Sequence, residues 1–127
     1  MLDLLGVERE PEGDGIERLR LRTDGGEILC RLHPAAAGDA AVLWVFGAGG
    51  GLGGPAGGLY SRLGQRLRHQ DVLSLELAWR QPACMAPCVA DVMAGLDWLV
   101  AQGRRRIVQT NDFCGEGPAR GLRRCGR

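Results

Sequence analysis

The residues best suited to chemistry lie in a glycine-rich segment from Gly47 to Gly58, which holds eight of the 21 glycines of this 127-residue chain. The segment directly follows an apolar run that ends at Phe46. Because glycine has no side chain, backbone N–H groups in such a segment can point at a bound oxygen atom. Two chemistries use that arrangement: the binding of a dinucleotide phosphate, and the stabilisation of an oxyanion during acyl transfer.

Dinucleotide binding is the first interpretation, and the glycine spacing fits two of its patterns. The matches are G-x-G-x-x-G at Gly49, Gly51 and Gly54, and the G-x-x-x-G-x-G of short-chain dehydrogenases at Gly47, Gly51 and Gly53. Glu76, at the end of the next apolar run, lies where a ribose-binding acid belongs. Against this interpretation, residues 55–58 delay the helix that should begin at the last glycine and face the pyrophosphate.

The other residues with reactive side chains are scattered along the chain. We expect the histidines, His33 and His69, to lie at the surface, and the segment Arg104-Arg105-Arg106 to form a solvated turn at a helix C-terminus. The cysteines show no zinc-site spacing, and we expect reduced thiols, as is usual in a cytosolic chain. They are Cys30, Cys84, Cys88, Cys114 and Cys125.

Hydrophobic periodicity predicts the elements that position these residues. The polar residues 8–15 are interpreted as a loop or frayed arm. The predicted elements that follow are strands at 16–22 and 27–33 joined by a turn at Asp24-Gly25-Gly26, a strand at 41–46, a helix at 59–69, a strand at 71–77, a helix at 86–102, and a buried strand beginning at Ile107-Val108. This order predicts an α/β fold, with a leading antiparallel hairpin and then β-α-β-α-β with right-handed crossovers.

Four stretches of this sequence resemble small bacterial α/β-hydrolases: Val45–Ala56, Leu59–Leu63, Leu75–Pro82 and Cys88–Leu99. The resemblance runs from about Ile16 to Val108, and it accounts for the leading hairpin and the residues inserted at Pro55. It implies the N-terminal portion of an α/β-hydrolase sheet, with Gly47, Ala48 and Gly49 in the loop that supplies an oxyanion-hole N–H. Members of this family hydrolyse ester-like bonds with a serine, a histidine and an acid.

The sequence departs from the family pattern where the nucleophile should follow. The resemblance implies a strand that leads from Ile107-Val108 into G-x-S-x-G, with the nucleophile near residues 112–114. Cys114 stands there, but Asp112 and Glu116 replace the two glycines, and their Cβ atoms would clash in so tight a turn. The family's acid and histidine come later in the chain, so we assign no catalytic residue and expect a frameshift, truncation or gene decay before the nucleophile.

The predicted organisation is an N-terminal arm over 1–15, the N-terminal half of an α/β-hydrolase domain over 16–108, and an aberrant or disordered tail over 109–127. We expect a truncated, inactive α/β-hydrolase-like protein with no cofactor and no metal; intact relatives would act on a small-molecule substrate. Two alternatives stay open. One is an NAD(P)-binding fragment of a short-chain dehydrogenase, and the other is a non-enzymatic interaction module that self-associates through an exposed sheet edge.

Composition excludes some partners. A net charge of +1 gives no basis for binding nucleic acid or an anionic membrane surface. The longest apolar run, residues 40–46, is too short to span a bilayer. Acidic residues near the N-terminus, such as Asp3 and Glu8, stand where a signal peptide needs positive charge, so we expect the cytoplasm.

Overall fold

The structure, a computed structural model, describes residues 2–45, 51–81 and 84–111. In these ranges a six-stranded sheet is combined with two helices. The elements are β1 (Leu4–Gly13), β2 (Ile16–Thr23), β3 (Gly26–His33), β4 (Ala40–Val45), α1 (Pro55–Arg68), β5 (Leu73–Leu77), α2 (Met85–Ala101) and β6 (Arg106–Asn111). The strand order is β1-β2-β3-β5-β4-β6.

The first three strands form an antiparallel unit. β1 pairs with β2, and β2 pairs with β3 through the turn that the sequence predicts at Asp24-Gly25-Gly26. The interpretation of residues 8–15 as a loop or frayed arm is therefore wrong for residues 8–13, whereas Asp14 and Gly15 form the turn into β2. Their side chains are exposed, so no apolar alternation indicates the strand, which is held by its backbone pairing with β2.

The other three strands form the parallel part of the sheet. β4 lies between β5 and β6 and pairs with both in parallel, while β5 also pairs antiparallel with β3. This arrangement confirms the predicted α/β fold with a leading antiparallel unit. β6 continues to Asn111, three residues beyond the last position that the sequence pattern supports as strand.

The two helices cover opposite faces of the sheet. Adjacent strand residues point to opposite faces. Glu76 in β5 contacts Ser61 in α1, whereas the next residue, Leu77, lies against Gly95 in α2. α1 therefore covers the face that carries Glu76, and α2 covers the face that carries Leu77.

The start of α1 explains why the helical pattern begins late. Ala56, Gly57 and Gly58 have φ values of 54°, 68° and 110°, so regular helix starts only at Leu59, as the sequence predicts. α2 ends one residue before Gln102, and Gly103 follows with φ 86°, which confirms the predicted glycine stop.

The core lies mainly between the sheet and α2. Its fully buried members on the central strands include Leu43, Leu75 and Leu77, and α2 contributes Trp98 and Leu99. Among the described residues, no helix is both long enough and apolar enough to cross a membrane.

Arg104 is not part of a solvated turn, as was expected. It is 6% exposed, and its guanidinium donates to the carbonyls of Ala35, Ala37 and Gly38 at 2.8, 3.0 and 2.9 Å. The chain around this side chain closes the amino end of the sheet. Arg105 and Arg106 are exposed, as predicted.

Candidate functional site

The candidate site lies at the carboxyl end of β4, where the glycine-rich segment begins. The expected oxyanion-loop residues, Gly47, Ala48 and Gly49, lie outside the described residues. The described end of the segment runs from Gly51 into α1. Gly53 has a φ of 96°, in the left-handed region that favours glycine.

A carboxylate from the neighbouring strand holds this part of the segment. Glu76, in β5, is 1% exposed, and its Oε1 accepts the backbone N–H of Gly53 at 2.7 Å. Its Oε2 accepts Ser61 Oγ of α1 at 2.8 Å and lies 2.6 Å from Nε2 of His33 in β3. Arg31 Nη1 donates to Ser61 Oγ at 3.0 Å. One carboxylate thus joins β3, β5, α1 and the glycine-rich segment.

The hydrogen bonds decide the charge of this carboxylate. Burial raises the pKa of Glu76, but hydrogen bonds from His33, Ser61 and Gly53 favour the ionised form and bring the pKa below its ordinary value. A buried carboxylate that accepts several donors is therefore ionised at neutral pH.

The position of His33 corrects the expectation of a surface histidine. His33 is fully buried, and its ring packs against α1 at Gly64, where an added Cβ would lie 2.7 Å from the ring. Within the described part of the chain its Nδ1 has no hydrogen-bond partner, which favours the tautomer with the proton on Nε2, donated to Glu76. A signal was present in the sequence: Glu76 alternates with leucines in a strand that is apolar apart from Ser74, and a buried carboxylate needs a donor.

An aromatic pair fixes the start of α1 against β4. The rings of Trp44 and Tyr60 lie 4.9 Å apart, and the Tyr60 hydroxyl donates to the carbonyl of Val45 at 3.3 Å. The Tyr60 backbone N–H donates to the carbonyl of Gly53 at 2.9 Å. A Cβ at Gly54 would lie 2.4 Å from the Tyr60 ring, so this position requires glycine.

A second buried carboxylate lies on the other face of the sheet, in α2. Asp91 is fully buried and accepts the backbone N–H of Arg80 at 2.9 Å and its guanidinium in an ion pair. The same guanidinium donates to the carbonyl of Gly25 at 2.6 Å. Burial raises the pKa of Asp91, and the bonds from Arg80 only partly offset it. This pair joins α2 to the β2–β3 turn and has no part in the glycine-rich segment.

The remaining sequence candidates are not brought to this edge of the sheet. His69 is exposed at the C-terminal end of α1, which is the opposite end of that helix from the glycine-rich segment. Cys30 is buried, and burial raises the pKa of its thiol. Cys84 is disulfide-bonded, so the expectation of a reduced thiol is wrong there. In the described ranges, no group of three or more His, Cys, Asp or Glu side chains could hold a metal ion.

The geometry of Glu76 also bears on the dinucleotide interpretation. A ribose-binding acid must present its carboxylate to a ligand. In this structure both carboxylate oxygens of Glu76 accept hydrogen bonds from the protein, and the side chain is 1% exposed. Glu76, the residue that supported the dinucleotide interpretation, is therefore bonded within the protein and stabilises the fold.

Comparison with known proteins identifies the fold. No protein-family model matches the sequence, and no curated protein matches it significantly. A cold-adapted esterase from an Arctic intertidal metagenomic library has a similar structure, with a TM-score of 0.56, 17% identity, and coverage of 82% of this chain and 50% of that chain. Its polyethylene-glycol-bound complex has a TM-score of 0.59 and 16% identity, with coverage of 86% of this chain and 55% of that chain. A thermostable carboxylesterase cloned from a metagenomic library has a TM-score of 0.54 and 20% identity, with coverage of 88% of this chain and 38% of that chain.

These likenesses show that the chain has the fold of an esterase-type α/β-hydrolase over most of its length. It spans about half the length, or less, of the solved esterases. The likeness of this mixed sheet with two helices to the solved esterases confirms the predicted fold class.

Proposed function

We propose that this chain forms the oxyanion-loop half of an ester-hydrolysing α/β-hydrolase-type domain and that, by itself, it does not hydrolyse esters. In the complete domain, the segment that begins at Gly47 would supply backbone N–H groups to the oxyanion that forms when an ester carbonyl is attacked. The nucleophile, the acid and the histidine would come from a further stretch of polypeptide.

One observation carries this proposal: β4 lies between two parallel strands and leads into the glycine-rich segment at its carboxyl end. Ligands of α/β sheets bind beyond the carboxyl ends of the strands, so the segment starts where a substrate would be bound. The likeness to the solved esterases supports ester-like substrates, because this chain superimposes on part of two esterases, with TM-scores of 0.56 and 0.54.

The positions of the two histidines support the lack of independent activity. A serine or cysteine nucleophile needs a base close enough to take its proton. His33 is fully buried and bonded to Glu76. His69 lies at the far end of α1, about 15 Å along the helix axis from Leu59. Neither imidazole can reach a substrate at the carboxyl end of β4 without rearrangement of the fold.

The test is an ester-hydrolysis assay on the purified chain with p-nitrophenyl acetate. We expect the folded chain to hydrolyse the ester no faster than the same chain unfolded in urea, after the rate of the unfolded chain is corrected for the nucleophilic side chains that unfolding exposes. Catalytic turnover of the folded chain, many product molecules per chain, would contradict the proposal. In that case the variants Cys114→Ala and His69→Ala would be assayed separately. Loss of turnover in Cys114→Ala alone would identify Cys114 as the nucleophile.

A further inference from the structure

We infer that Glu76 is a positioning residue for the glycine-rich segment, and that its carboxylate fixes the place where the segment joins α1. This inference rests on the proposed function, because it concerns the loop assigned there to the oxyanion. It goes further by naming a residue, outside the segment and on another strand, that holds the described end of the segment at Gly53.

The first step is that the two carboxylate oxygens of Glu76 contact different parts of the structure. Oε2 faces the rigid scaffold, where it bonds to His33 of β3 and to Ser61 of α1. Oε1 faces the segment and accepts the Gly53 N–H at 2.7 Å, a short distance for an N–H···O bond and one typical of a charged acceptor. A side chain held on one side by the scaffold can hold a loop on its other side.

The second step is that both backbone groups of Gly53 are engaged. Its N–H donates to Glu76, and its carbonyl accepts the N–H of Tyr60 at 2.9 Å. Tyr60 in turn is held by Trp44 and by the carbonyl of Val45. Gly53 is therefore a fixed point where the segment runs into α1, and Val45, at the end of β4, is the fixed point that precedes the segment.

The third step is the length between these fixed points. Seven residues, 46–52, connect Val45 to Gly53, and the proposed oxyanion-loop residues are three of them. Without the bond from Glu76, Gly53 keeps only the bond from the Tyr60 N–H to its carbonyl. If that bond opens as well, the next fixed point is the start of regular helix at Leu59, and the connecting chain lengthens from seven to 13 residues, 46–58, of which eight are glycines. A chain so rich in glycine has many accessible conformations.

The experiment compares the wild type with Glu76→Gln and with Ser61→Ala by two-dimensional NMR of backbone amides. Glu76→Gln keeps the shape but replaces a charged acceptor of Gly53 with a neutral one. Ser61→Ala removes a donor from the same carboxylate and leaves the bond to Gly53 in place. It is the matched control, because it weakens the network without touching the segment.

For Glu76→Gln we expect an upfield shift of the Gly53 amide proton and a loss of hydrogen-exchange protection of about tenfold or more at that amide. Amides of the β2–β3 hairpin should keep their shifts. For Ser61→Ala, Gly53 should keep its shift even if overall protection falls. Equal changes at Gly53 in both variants, in step with global stability, would overturn the inference and make Glu76 a general structural residue.

A second measurement covers the case in which Glu76→Gln does not fold. In the wild type, the Gly53 amide proton should titrate in acid with the same midpoint as the carboxyl carbon of Glu76. A Gly53 shift that does not follow the Glu76 carboxyl would overturn the inference. These readouts need no ester hydrolysis, so they stand or fall separately from the assay that tests the proposed function.

Discussion

Nε2 of His33 lies 2.6 Å from Oε2 of Glu76, and both side chains are almost completely buried. The two residues are on different strands, β3 and β5, and 43 positions apart in the chain. The pair lies beneath α1, whose close approach at Gly64 seals it from water. A polar pair in this place is stable because the remaining acceptor sites of the carboxylate are filled by Ser61 and Gly53.

The first prediction concerns the pH dependence of stability. The pKa of Glu76 is held below its ordinary value, so its stabilising contribution is present above the pKa of the unfolded chain. That contribution is lost as the pH falls through the lower, folded pKa. At neutral pH, Glu76→Gln should lower the free energy of unfolding by ~1–3 kcal/mol, since it replaces the charged acceptor of the bonds from His33, Ser61 and Gly53 with a neutral amide.

Urea unfolding at pH 7 and at a series of acid values checks this prediction. The difference between wild type and Glu76→Gln should shrink as the pH falls, because the protonated glutamate then resembles glutamine. A matched variant, Glu10→Gln on the exposed strand β1, should show little difference at any pH. A constant gap between wild type and Glu76→Gln across the whole range would contradict the assigned charge.

The parallel part of the fold could be predicted from the sequence because its signals are local. The apolar run before Phe46, the Leu59, Leu63 and Leu67 spacing of α1 and the stop at Gly103 each indicate one element and one boundary. The structure places these elements within one or two residues of the predicted bounds, except for the first turn of α1.

The residues that the sequence did not reveal depend on contacts between distant parts of the chain. β1 is polar from Glu8 onward and almost wholly exposed, and it becomes a strand only by pairing with β2. His33 is buried because α1 comes close at a glycine that lies 31 positions later. Arg104 is buried because the carbonyls of residues 35–40 converge around it. No pattern within a window of sequence carries that information.

The second prediction concerns Arg104. Arg104→Ala removes a guanidinium that donates to at least four backbone carbonyls and leaves these part-buried bonds without their donor. We expect a loss of about 2–4 kcal/mol, since several acceptors, at about 1–3 kcal/mol each, are only partly rehydrated. Thermal and urea unfolding measure it. The adjacent, exposed Arg105→Ala is the matched control and should change stability by less than about 0.5 kcal/mol. Equal effects of the two variants would mean that the carbonyl contacts contribute nothing.

The third prediction concerns the dinucleotide alternative. NAD and NADP should show no saturable binding, because the carboxylate that would hold the ribose is already bonded to Gly53, Ser61 and His33. Calorimetric titration at millimolar cofactor checks this. Saturable binding that is lost in Gly51→Ala and Gly53→Ala would reverse the ranking and favour the dehydrogenase interpretation. Binding that survives these substitutions would be located outside the glycine-rich segment.

The last prediction concerns β6, where we propose that two copies of this chain associate. In the described part of the chain β6 pairs only with β4, and no further strand lies beyond it. Val108 on this strand is 60% exposed. An exposed apolar strand at a sheet edge favours pairing with another strand. α2 adds exposed apolar side chains at Met85, Val89 and Val100, so we also expect the dye ANS to bind.

Val108→Lys tests the role of this edge, because a lysine on an edge strand opposes pairing and would meet the same charge on a second copy. Light scattering after size exclusion should show self-association of the wild type and a shift toward monomer in Val108→Lys. The matched control is Leu29→Lys, which puts the same charge on a half-exposed apolar side chain of β3, a strand paired on both sides. A wild type that is monomeric at high concentration, with a sharp cooperative melt and no ANS binding, would contradict the proposal. So would an equal loss of association in both lysine variants, since the contact would then not lie at β6.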